Sequence, residues 1–212
     1  MMALNKIDDR ADSAPQVFWH AGHVTAGERG RQFGQRAATV WLTGLSGAGK
    51  STVACALERC LVGAGRAAYV LDGDNLRHHL NRDLGFSRSD RQENIRRSAE
   101  VAKLMNDAGL IVICAFISPL REDRDMARQI IGERDFIETY LSTRRAVCEA
   151  RDPKGLYRQA RAGLIAEFTG VSAPYEVPLQ PSLEFDTAVH SVQDCCAQIY
   201  RHLAPRFARE AA

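Results

Sequence analysis

Histidine is scarce in this chain, six in 212 residues, and no two cysteines form a Cys-x-x-Cys pair. Ligand spacing for a structural zinc site is therefore missing. The six cysteines, Cys55, Cys60, Cys114, Cys148, Cys195 and Cys196, show no disulfide framework. Cys55, Cys60 and Cys114 fall inside apolar patterns, where a free thiol behaves as a small hydrophobe. Reduced thiols point to the cytoplasm. No apolar run approaches the ~20 residues of a membrane helix, and the opening "MMALNKIDDRADSAP" lacks the apolar core of a signal peptide. A soluble protein is expected. The net charge is only +2, which does not favour nucleic acid or a membrane surface as partner.

What remains is an ordinary globular composition, 45% hydrophobic and 25% charged, enough for one domain with a real core. Residues 1–15 read as a flexible tail and 16–38 as a connector that packs on the domain through Phe18 and Trp19. Residues 39–203 form the domain, and 204–212 a second tail. "NKID" at residues 5–8 resembles a guanine-reading element, but it precedes the phosphate loop instead of following it, so it is set aside.

Within the domain, strands alternate with helices. Residues 39–43 predict a buried strand. Residues 50–62 predict a helix with Val53, Ala54, Leu57 and Leu61 on one face. A second strand ends near Leu71 and "NLRHHL" is a short helix. Residues 87–109 form a longer helix striped by Ile95, Ala99, Ala102 and Met105 and stopped at Gly109. "LIVICAFI", 110–117, is a central parallel strand. A helix runs from Pro119 to about Ile131. "DFIETYLS" and "SLEFDT" are the fourth and fifth strands, and 191–203 is a closing helix. The pattern implies an α/β fold with a five-stranded parallel sheet and helices on both faces. Ligands of such sheets bind beyond the carboxyl ends of the strands.

The chemically interesting residues fall there. Gly44-Leu45-Ser46-Gly47-Ala48-Gly49-Lys50-Ser51 follows strand one and matches G-x-x-x-x-G-K-[ST]. Glycines let backbone N–H groups converge on phosphates, and the helix N-terminus adds partial positive charge. Lys50 reaches the β- and γ-phosphates and the Ser51 hydroxyl suits Mg²⁺. After strand two comes "DGDNLR", where Asp72 and Asp74 suit metal binding or proton acceptance; a turn with an aspartate capping the next helix is the alternative. Strand three ends without an acidic residue, which shifts the metal and base roles to that pair. Ser118 and Pro119 at its tip read as a helix N-cap and first turn, a role that leaves a second one open. Arg91 and Asn94, three apart on a helix, project together. With Arg77 they suit an anionic substrate, and Phe86 offers a flat face to a base. "RDPKGLYRQARAG", 151–163, is basic and punctuated by Pro153 and Gly155, as suits a lid over phosphates.

Taken in order, "GLSGAGKST", "DGDNLR", "GFSRSDRQENIRR", "FISPLREDR", "RDPKGLYRQAR" and "FTGVSAPYEVP" closely resemble the adenylylsulfate kinase (APS kinase) family, over about residues 17–203. The resemblance implies a P-loop kinase fold with a basic lid at about 151–170. The implied reaction transfers the γ-phosphate of ATP, with Mg²⁺, to the 3′-hydroxyl of adenosine 5′-phosphosulfate. It implies a homodimer and allows association with a separate ATP sulfurylase subunit, since no sulfurylase-sized extension is expected in 212 residues. By position, Gly44 to Ser51 and Thr52 would hold ATP, with Arg151 near its base. Asp72 and Asp74 would serve metal, base and substrate positioning, with Ser51 and Asp72 as the metal ligands. Arg77, Arg91 and Asn94 would bind phosphosulfate and ribose. Phe86 and Phe168 would sandwich the adenine, with Ile117, Lys154 and Leu156 completing the pocket. Ser118 matches the family's phosphoserine position, although direct in-line transfer needs no protein nucleophile. Leu120 stands where the family commonly has an aromatic. The alternatives are another small-molecule or nucleoside kinase on the same fold, and a nucleotide-dependent switch.

Overall fold

The computed structural model describes Phe18 and residues 20–207. Five strands form one parallel sheet: β1 (Ala38–Thr43), β2 (Ala68–Asp72), β3 (Ile111–Ala115), β4 (Phe136–Leu141) and β5 (Leu183–Phe185). Their order is β2-β3-β1-β4-β5, with Val40 of β1 in register with Ile113 on one side and Ile137 on the other. The winding reverses beside β1, so the crevice beyond its carboxyl end is the place a ligand enters such a sheet.

Alternation along the strands divides the core in two. Val40 and Leu42 face α2 (Lys50–Gly63) and α8 (Val192–Leu203), packing with Val53, Ala54, Leu57, Leu61, Ile199 and Leu203. Trp41 faces the other way, its ring 5.0 Å from Phe116 and 5.6 Å from Phe136. That side is closed by Ile95, Ala99 and Ala102 of α4 (Arg88–Asp107) and by Ala127 and Ile131 of α5 (Arg121–Ile131). Ser87 caps α4 by accepting from the Asp90 amide. Gly109, at φ +93°, turns the chain out of α4, and a Cβ there would lie 2.9 Å from the Phe33 ring.

Several expectations are corrected. Residues 16–38 contain a helix, α1 (Ala26–Phe33), closed by a capping box between Thr25 and Glu28. Its one buried residue is Gly30, so no apolar stripe in the sequence announces it. Gln35 fastens this region instead, its amide donating to the carbonyls of Ala67 and Gly109 at 2.8 and 2.9 Å. Phe18 is 80% exposed and does not dock. Trp19 and the whole first tail, with its "NKID" stretch, lie outside the described residues. At the other end, residues 204–207 belong to the domain: Arg206 donates to the Ala37 carbonyl and the Asp135 carboxylate, both at 2.8 Å, and Phe207 packs on Tyr200. Cys55 and Cys60 are exposed, since the buried stripe of α2 runs through 53, 54, 57 and 61 and misses both. All six thiols are free.

The helix after β3 starts at Arg121, with Leu120 at the N-cap position. Ser118 and Pro119 are not its first turn. Ser118 adopts φ +36°, a conformation costly for a residue with a Cβ. The cap arrives from far along the chain: the Glu176 carboxylate accepts from the Arg121 amide at 2.8 Å.

Candidate functional site

The turn from β1 into α2 is a cradle built by glycine. Gly44, Gly47 and Gly49 have φ of +150°, +77° and +94°. A Cβ on Gly44 would stand 2.7 Å from the Leu141 carbonyl oxygen, and one on Gly47 2.7 Å from that of Cys148. The backbone therefore lies directly on β4 and on α6 (Arg145–Arg151), with no room for a side chain. Lys50 folds back and donates to the carbonyls of Gly44 and Leu45, both at 2.8 Å. Burial pulls its ammonium down to about 8.

A cavity of about 670 Å³ opens from this cradle across the ends of β2 and β3. Ser46, Gly47, Gly49, Lys50, Ser51 and Thr52 line its donor side. Asp72, Asp74, Arg77, Phe86, Arg91, Asn94, Ile117 and Ser118 line the opposite wall, and Arg151, Lys154 and Leu156 close it from above. Five cationic side chains (Lys50, Arg77, Arg91, Arg151, Lys154) face two carboxylates (Asp72, Asp74), so the void is electropositive and suits polyanions. Gly44, Leu45 and Ala48 sit behind the loop and do not line it.

Asp72 is the N-cap of α3 (Gly73–His78): one carboxylate oxygen accepts from the amides of Asp74 and Asn75 at 3.0 and 3.4 Å. The capping aspartate of the pair is thus Asp72. Its other oxygen accepts from the Ser51 hydroxyl at 2.6 Å. Asp74, in the first turn of α3, pairs with Lys154.

Arg77 and Arg91, the arginines expected to meet an anion, are engaged by the protein itself. Arg77 donates to the carbonyls of Leu84 and Gly85 at 3.1 and 2.8 Å and lies 4.3 Å over the Phe86 ring. Burial and the neighbouring Arg91 charge both lower its pKa. Arg91 donates to the Phe86 carbonyl at 2.7 Å, to the Thr169 hydroxyl at 3.0 Å and to the Glu167 carbonyl. Asn94 is buried, its side-chain oxygen held by Asn81 at 2.9 Å.

Phe168 is not among the residues that line the cavity. It is buried in the main core, edge-on to Tyr157 with ring centroids 4.9 Å apart. Tyr157, in α7 (Leu156–Arg161), is itself buried and its hydroxyl donates to the Ser46 carbonyl at 3.0 Å. The inner face of the basic lid is thus part of the core, because two of its aromatics have nowhere drier to go. One face of Phe86 is already taken by Arg77.

Thr187 has no motif to mark it. It follows β5, accepts from Arg151 at 2.8 Å, and donates to the Ala48 carbonyl at 3.0 Å, joining the lid to the phosphate loop. Only its place after a parallel strand signals it. Ser118 is 2% exposed, and its hydroxyl accepts from the Trp41 indole N–H at 3.1 Å.

Residues 36–186 match the family described as adenylylsulphate kinase. The chain is 56% identical over 191 residues to the adenylyl-sulfate kinase of Pseudomonas entomophila (strain L48), covering 90% of this chain and 91% of that one. It is 54% identical to the bifunctional enzyme NodQ of Rhizobium tropici, over 94% of this chain and 32% of NodQ. Among solved structures it resembles the Mycobacterium tuberculosis APS kinase CysC in complex with AMPPNP and APS. The TM-score there is 0.78 at 49% identity, over 80% of this chain and 99% of that one.

Proposed function

Because the chain belongs to the adenylylsulfate kinase family, we propose that its cavity carries the γ-phosphate of ATP to the ribose 3′-hydroxyl of adenosine 5′-phosphosulfate. The products are ADP and 3′-phosphoadenosine 5′-phosphosulfate. The observation that supports the division of labour is the single void in which the phosphate loop faces Arg77, Phe86, Arg91, Asn94, Ile117 and Ser118.

On the donor side, the loop amides and Lys50 bind the ATP phosphates, and Lys50 must leave the Gly44 and Leu45 carbonyls to do so. Arg151 and Thr187 stand beside the donor base. Among the described residues no three metal-binding side chains make a complete cage. The hydroxyl and carboxylate of Ser51 and Asp72 do fit a Mg²⁺ that keeps waters and takes its other ligands from phosphate. Mg²⁺ held there would neutralise phosphate charge.

On the acceptor side, Arg77, Arg91 and Asn94 receive the phosphosulfate and ribose, the two arginines exchanging backbone carbonyls for the ligand's oxygens. Phe86 offers its free face to the adenine, while Ile117 and Leu156 fill in around it. Asp72 already caps α3 and holds Ser51, so Asp74 accepts the proton of the attacking hydroxyl. Lys154, now paired with Asp74, moves to the substrate and frees that carboxylate. The lid excludes water from the transfer. Ser118 supports the pocket wall, and the phosphoryl group passes directly in line.

The proposal extends to a cytoplasmic homodimer. The free thiols fit a reducing compartment; no helix among the described residues is long and apolar enough to cross a membrane. Association with a separate ATP sulfurylase subunit completes it. The purified protein with ATP, Mg²⁺ and adenosine 5′-phosphosulfate should yield ADP and the 3′-phosphorylated product in equal amounts by mass spectrometry. Turnover of a sugar or nucleoside in place of that acceptor would overturn the proposal.

A further inference from the structure

Behind the acceptor wall lies a charged cluster whose own side chains do not line the cavity. Arg124 of α5 is 1% exposed. Its guanidinium donates in three directions: to the Glu138 carboxylate of β4 at 2.7 Å, to the Ser118 carbonyl at 2.7 Å and to the Glu176 carbonyl at 2.8 Å. Glu138 also accepts from Arg128 at 2.8 Å. A charge is costly to bury even when paired, so an apolar pair would serve stability as well. What an apolar pair cannot do is hold two backbone carbonyls from distant parts of the chain.

Those carbonyls belong to two segments that need holding. Ser118 sits at φ +36° between β3 and α5, and lines the acceptor wall. Glu176 lies on the chain that returns from the lid. Further bonds tie the same two segments. The Glu176 amide donates to the Pro119 carbonyl at 2.8 Å. The Tyr175 hydroxyl lies 2.9 Å from that of Thr43, and Thr43 donates to the Ile117 carbonyl at 2.8 Å. Burial raises the Tyr175 pKa, so its phenol stays neutral in this role.

We propose that Arg124 is a positioning residue for the acceptor pocket: its fork clamps the strained Ser118 turn to the segment returning from the lid, so that wall and lid keep one relative placement. The inference rests on the acceptor assignment made above, but half of its test does not.

The variants are Arg124→Met, Arg124→Lys and, as control, Arg128→Met, which removes the other partner of Glu138 and touches neither carbonyl. Lysine keeps the buried charge but lacks a planar fork with fixed donor directions. In both Arg124 variants the KM for adenosine 5′-phosphosulfate should rise about 10-fold or more, the scale of a lost hydrogen bond to a charged group. The KM for ATP should stay within about two-fold. Arg128→Met should lower the melting temperature with both KM values unchanged. Independently of activity, hydrogen exchange should quicken together at residues 117–119 and 175–177 in the Arg124 variants and not in the control. If Arg124→Met does not fold, Arg124→Lys carries both readouts. Equal losses toward both substrates, or exchange that quickens in one segment alone, would overturn the proposal. Absence of transfer in the parent protein would sink the acceptor assignment, while the paired exchange would still decide the clamp.

Discussion

The phosphate loop and the acceptor wall face each other across one cavity and are built in opposite ways. The loop acts through backbone: its conformation is fixed by three glycines at positive φ and by β4 and α6 packed directly behind them. Its only long side chain, Lys50, is folded onto its own carbonyls. The wall acts through side chains drawn from α3, the 84–94 stretch, the β3 end and the lid, most of them already bonded to protein. Arg77 and Arg91 hold backbone carbonyls, and Lys154 holds Asp74. A site made of backbone is ready before its ligand arrives. A site made of paired side chains must exchange partners, and that exchange is where an acceptor is selected.

The two halves should therefore break differently. Asp74→Asn should lower kcat by about 10²–10⁴-fold, the scale of a lost general base, with ATP binding intact by titration calorimetry. Near-normal kcat would return the base role to Asp72. Gly47→Ala should act on the donor half. At φ +77°, with the Cys148 carbonyl 2.7 Å from the new Cβ, it should cost about 1–3 kcal/mol of stability and weaken ATP binding, as melting with and without nucleotide would show.

On the wall, Lys154→Met should raise the acceptor KM by about 10-fold and leave the melting temperature unchanged, because exposed ion pairs contribute little to stability. A fall in ATP affinity instead would move Lys154 to the donor half. Ser118→Ala should keep most of the transfer activity and lose about 1 kcal/mol of stability from the orphaned Trp41 N–H. Complete loss in a folded, ATP-binding protein would revive a covalent intermediate.

The smallest effect is counted in protons. Lys50 titrates at about 8 without ligand, and phosphates would raise it. At about pH 8.5 ATP binding should take up a fraction of a proton, seen as a dependence of binding enthalpy on buffer ionisation; below about pH 7 the uptake should vanish. The sign for stability follows. The cost of charging buried Lys50 is full below about 8 and is relieved as pH rises from there toward its ordinary value of 10.5.

What could be read in advance follows the same line. All five strands could be located to within a residue or two; β1, β3 and β4 stand out because burial on both faces of a parallel sheet leaves continuous apolar runs. The helix start after β3 was misplaced, since Ser-Pro has the composition of a cap while the real cap, Glu176, lies 55 residues further on. Motif position alone gives no sign that Phe168 is buried edge-on against Tyr157, because that contact depends on how the lid folds back onto the core. α1 was invisible because hydrogen bonds from Gln35, not apolar burial, secure its neighbourhood.

Local sequence was enough for the sheet and the glycine cradle, since apolar runs and glycine spacing each lie in a short window, and the order of such windows along the chain carries the family. Tertiary structure alone decided which aspartate caps α3, which aromatic is core, how Arg77 and Arg91 are engaged before a ligand arrives, and that a buried arginine on α5 grips Ser118 and Glu176. Some of these join residues far apart in the chain, and others, such as the Asp72 cap, turn on which of two neighbours reaches a given amide. Hydrogen bonds and ion pairs are settled by distances of a few tenths of an ångström, which no local pattern encodes.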